Sequence, residues 1–67
     1  MLLNINQTAL ALLMASKGIT QGELLALAQI SQAVMKRIQS GKPIKPVTVG
    51  KIANALACAP ADIVTQH

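Results

Sequence analysis

Apolar residues recur along this chain at three- and four-residue intervals in short runs, each closed by a glycine, a proline or a polar cluster, which predicts short helices. Residues 6–17 read as the first, with Asn6 as cap, Leu10, Leu13 and Met14 at core spacing, and Gly18 as its end. Thr20 followed by Glu23 is a capping box that starts a second helix. Ser31 caps a third, and Gly41 supplies a left-handed residue to close it. Within this third helix Met35 and Ile38 share a face with the incoming Ile30, while Gln32, Ala33, Lys36 and Arg37 fall on the opposite side. The segment 42–46, KPIKP, reads as a loop whose last proline opens a fourth helix, 46–56, burying Val49, Ile52, Ala53 and Leu56. A short fifth helix is expected over 59–64, with Pro60 at its first position and Asp62 near its positive end. Leu2, Leu3 and Ile5 precede the first helix with little obvious core to join. No repeat, low-complexity tract or linker interrupts the series, so the expected fold is all-α, five helices in one unit spanning 1–67.

A chain of 67 residues leaves a small core with little margin unless the helices pack well or the chain associates. Six Lys and Arg against two acids, Glu23 and Asp62, give a net charge of +4 and favour a polyanionic partner. Placement sharpens this: Lys17, Lys36, Arg37, Lys42 and Lys45 lie in or beside the two-helix segment 20–41 or the loop after it. A basic, amide-bearing helix face of this kind suits contact with DNA. Cys58 has no partner for an internal disulfide and reads as a small buried hydrophobe, consistent with a reducing compartment. His67 is the only histidine, so catalytic triads and metal-ligand clusters have nothing to be built from, and neither an enzyme nor a cofactor is expected. The apolar run 9–15 is too short to span a bilayer and the N-terminus lacks the positive region of a signal peptide, so a cytoplasmic protein is expected. With no Phe, Tyr or Trp, recognition of RNA or single strands by stacking is disfavoured, whereas duplex DNA read through its grooves needs no rings.

From about Leu10 to Val64 the chain resembles the Xre/Cro-type helix-turn-helix family, the lambda-repressor-like DNA-binding domains of phage repressors, Cro proteins and small bacterial regulators. The resemblance is carried by Gly18-Ile19-Thr20-Gln21, Glu23-Leu24, Ile30-Ser31, Arg37-Ile38, Gly41 and the run Lys51-Ile52-Ala53-Asn54-Ala55-Leu56. It implies a helix-turn-helix over about 20–40 and a sequence-specific regulator of phage or prophage type that occupies a double-stranded operator. Gln21 matches the position that puts a side-chain amide and a backbone N–H on a phosphate. Gln32, Ala33, Lys36 and Arg37 match the base-facing positions of the recognition helix, Lys36 being suited to a phosphate as well. Lys42 and Lys45 match phosphate contacts that set register. Lys17 and Lys51 read as ordinary surface charges.

Several positions depart from the family pattern. Met14 and Gln39 stand where an Arg–Glu ion pair is frequent, and since both partners change together no charge is orphaned. Gln29 and Ala57 replace glycines, which costs on the order of 1 kcal/mol each if they adopt left-handed conformations. Leu25 replaces a small residue near the helix crossing. Leu2, Leu3, Leu12 and Leu27 are expected outside the core as possible dimer or partner contacts, and a homodimer would supply two recognition helices for a palindromic operator. Two other readings remain open: an antitoxin-type autorepressor with a protein partner, and a helix-turn-helix scaffold used only for protein–protein interaction. A membrane-surface peptide fits poorly, because the cations do not lie opposite one long apolar stripe.

Overall fold

The computed structural model of the chain describes residues 1–65, so the expectation attached to His67 lies outside the described residues. Four α-helices follow in order: α1 (Gln7–Lys17), α2 (Gln21–Ala28), α3 (Gln32–Gln39) and α4 (Pro46–Ala55). Most of their ends fall where local chemistry dictates. Asn6 caps α1 by accepting from the Ala9 amide at 3.1 Å. Thr20 and Glu23 make both bonds of the capping box at the head of α2, 3.2 and 2.9 Å long. Pro46 opens α4, where its missing N–H costs nothing. Gly41, at φ 78°, closes α3 with a Schellman pair of bonds, Gly41 N–H to Ile38 carbonyl and Lys42 N–H to Arg37 carbonyl.

The expected fifth helix is instead a three-residue 3₁₀ turn, Pro60–Asp62. Asp62 caps it by accepting from the Ala59 amide at 3.1 Å. The turn stops early because Val64 is drawn into an extended, antiparallel pairing with Ile5. Ile5 belongs to an N-terminal strap, residues 3–6, that runs between two other segments. On one side Leu3 exchanges two 2.8 Å backbone bonds with Ile44, and on the other Asn6 N–H donates to the Ile63 carbonyl and Thr65 N–H to that of Asn4. The expectation that Leu3 and Ile5 have little obvious core to join is therefore corrected: Ile5 is buried and Leu3 is half-buried against the core.

Leu24, Ile38, Val49, Ile52, Leu56 and Ile63 are fully buried, so α2, α3, α4 and the 3₁₀ turn all converge on one core. The buried set is wholly apolar among the described residues, and burial of each of its Leu, Ile, Val and Met side chains contributes about 1.5–3 kcal/mol. Two backbone positions work against it. Gln29 and Ala57 adopt φ of 56° and 53°, the left-handed region that disfavours any residue with a Cβ. Both side chains are exposed and contribute no core packing. Gln29→Gly and Ala57→Gly are each expected to stabilise the domain by about 0.5–1 kcal/mol, raising the thermal midpoint by several degrees in a chain this short. Circular dichroism melts check this, and a lowered midpoint in both variants would refute it.

Candidate nucleic-acid interface

The turn between α2 and α3 runs through left-handed Gln29, Ile30 and Ser31, whose hydroxyl accepts from the Val34 amide at 3.3 Å and starts α3. With Met35 and Ile38 anchored in the core, α3 turns its opposite face outward, and Gln32, Ala33, Lys36 and Arg37 are all exposed. Gln21 is exposed at the head of α2, where the amides of Gln21 and Gly22 precede any intrahelical acceptor. Gln21, Gln32 and Lys36 line one surface depression, floored in part by Met35. A second depression lies between α3 and the following loop, with Val34, Pro43 and Ile44 beside Arg37 and Lys45. Lys42 is exposed but lines neither. Apart from Lys42, the predicted amides and cations thus line two depressions beside α3.

Arg37 is less free than its sequence position suggests. Its Nη2 donates to the Pro43 carbonyl at 3.0 Å, which ties α3 to the lysine-bearing loop and leaves the other guanidinium donors unused by this bond. Two amides that sequence reading missed support the same region from behind. Gln7 Nε2 donates to the Ile38 carbonyl at 2.9 Å and to that of Gln39 at 3.3 Å. Asn4 Nδ2 donates to the Gly41 carbonyl at 3.1 Å. Met14 and Gln39, at the ion-pair positions, line one depression together with Gln7, so a neutral amide clamp links α1 to the end of α3. The alternation Leu3-Asn4-Ile5-Asn6 was the signal that could have exposed the strap.

The electrostatics are simple. Glu23 and Asp62 each accept from a backbone amide at the start of a helical turn, and neither is bonded to a cation of the α3 face. Burial, and then the nearby Asp62, push the Cys58 thiol above its ordinary pKa, with Lys17 opposing, so the thiol stays protonated and poorly nucleophilic at neutral pH. Among the described residues no three His, Cys, Asp or Glu side chains are grouped to hold a metal ion. No helix among them is long and apolar enough to cross a membrane.

Of the leucines expected as possible dimer or partner contacts, Leu2, Leu12 and Leu27 are exposed and Leu3 is half-buried. Leu12 and Leu27 are 66% and 59% exposed, as expected from their outward positions. Leu27 borders a depression shared with α4, whereas Leu2 joins Arg37, Pro43 and Lys45 beside the loop and Leu3 turns partly inward.

A family model described as a Cro/C1-type HTH DNA-binding domain matches residues 9–66. No curated protein and no solved structure matches the chain.

Proposed function

We propose that this chain, which belongs to the Cro/C1-type helix-turn-helix DNA-binding family, is a sequence-specific transcriptional regulator that occupies a double-stranded operator through α3. The observation that carries this reading is the division of α3: Met35 and Ile38 are buried, while Gln32, Ala33, Lys36 and Arg37 stand exposed with no acidic neighbour bonded to them. A helix seated in the major groove presents Gln to adenine, Arg to guanine and a methyl-bearing Ala to thymine, with about 1–3 kcal/mol of discrimination from each good bidentate pair. Gln21, Lys42 and Lys45 serve as phosphate contacts on either side, fixing register without reading sequence. The protein acts as a Cro-like or repressor-like switch of phage or prophage type, excluding polymerase by occupancy. Two copies bind a palindromic site with half-sites about one helical turn apart.

The test is binding to a duplex from the gene's own upstream region against a scrambled duplex, across a salt series, with stoichiometry read in the same titration. The expected result is clear preference for the native duplex at two chains per site, with affinity falling as salt rises because bound lysines and arginine release counterions. Equal, steeply salt-dependent binding to both duplexes would overturn sequence-specific regulation by that site. A single chain per site would overturn the dimer. The exposure of Leu12 and Leu27 favours a second reading, an antitoxin-type autorepressor, for which a stoichiometric second protein would co-purify.

A further inference from the structure

The last turn of any helix leaves carbonyls without intrahelical donors, and on α3 each is served differently. Ser40, Lys42 and Gly41 amides bond the Lys36, Arg37 and Ile38 carbonyls, but these donors follow α3 directly in the chain and move with it. Gln7 is different because it belongs to α1. Its Nε2 reaches across 31 positions of sequence to the Ile38 carbonyl and also meets that of Gln39. The amide orientation follows from the geometry, since turning its oxygen toward two carbonyls would set acceptor against acceptor. The backbone that carries Gln7 is anchored, since Asn6 just before it caps α1 and donates its own N–H to the Ile63 carbonyl at 2.7 Å. Apolar packing of Met35 and Ile38 resists separation of α3 from the core but is non-directional, so it tolerates small rotations about the helix axis. Two directional hydrogen bonds from α1 to carbonyls of α3 resist them.

We propose that Gln7 is a positioning residue for duplex recognition: its side-chain amide, by holding the Ile38 and Gln39 carbonyls, sets the direction in which α3 presents Lys36 and Arg37. This rests on the reading of α3 as the recognition helix, and it places a determinant of specificity ahead of residues 9–66, the part matched to the family. Asn4, on the Gly41 carbonyl, holds the start of the lysine loop in the same manner.

The experiment compares wild type with Gln7→Met, nearly isosteric but without a donor, and Gln7→Lys, which keeps one, at a temperature where circular dichroism shows all three folded. The probe is the duplex that wild type enriches from a random-sequence duplex library, set against a scrambled duplex of the same composition. In Gln7→Met the preference is expected to fall about five- to tenfold with binding to the scrambled duplex unchanged, and in Gln7→Lys to stay within about twofold of wild type. Residual dipolar couplings recorded without DNA are expected to show α3 reoriented relative to α1 in Gln7→Met and restored in Gln7→Lys. Unchanged couplings, or an unchanged preference in Gln7→Met, would overturn the assignment. If wild type enriches no duplex, the regulator reading fails by itself, and the couplings alone decide the role of Gln7.

Discussion

Replacing Arg37 by Ala is expected to lower the preference for a selected duplex over a scrambled one by about one to two orders of magnitude, the scale of a lost bidentate base contact. Two functions disappear with the guanidinium. One is the planar fork that can pair with a guanine edge; the other is the Nη2 bond to the Pro43 carbonyl, which holds the loop carrying Lys42 and Lys45 against α3. Arg37→Lys separates them from charge. Lysine keeps the positive charge, so non-specific binding and its salt dependence should be preserved, yet discrimination should fall nearly as far as in Arg37→Ala. Quantitative binding to both duplexes over a salt series provides the check. Full preference retained in Arg37→Ala would remove Arg37 from the readout and reduce its role to that of a loop tie.

Most of the helical frame was legible because most of its boundaries carry a short-range signal. Thr20 with Glu23, Gly18, Gly41 and Pro46 act within one turn of themselves, and all four act in the structure as expected. The left-handed turns at Gln29 and Ala57 were legible only through the family resemblance, since neither residue type announces such a backbone. What escaped is non-local. The strap exists because Leu3 finds Ile44 and Ile5 finds Val64, and the same pairing cuts the expected fifth helix to a 3₁₀ turn. The outward face of α3 could be read from periodicity, but the amides that support it could not. A Gln seven residues into the chain that serves carbonyls at 38 and 39 leaves no trace in spacing, because side-chain-to-backbone bonds across the fold impose no local pattern.

Ile52→Ala should leave the domain largely unfolded near 37 °C. Ile52 is wholly buried at the centre of α4, with Leu24, Ile38, Val49, Leu56 and Ile63 equally inaccessible around the same core. Truncating a fully buried Ile costs about 2–5 kcal/mol, through lost burial and the cavity left behind. A single core in a chain this short rarely supplies more than about 3–5 kcal/mol in total. The two figures nearly meet, so the thermal midpoint should fall by well over ten degrees, at roughly 4–8 °C per kcal/mol. Leu12→Ala, at a side chain that is 66% exposed, should shift it little and serves as the control. The loss should also be recoverable by mass action. If the exposed α3 face binds duplex as proposed, excess selected duplex should bind the folded chain alone and raise the midpoint of Ile52→Ala with concentration, because Ile52 lies in the core and not on that face. Circular dichroism melts with and without duplex measure both effects. A midpoint lowered by only a few degrees would mean that the core closes around the missing methyls, and that α4 is not its organising element.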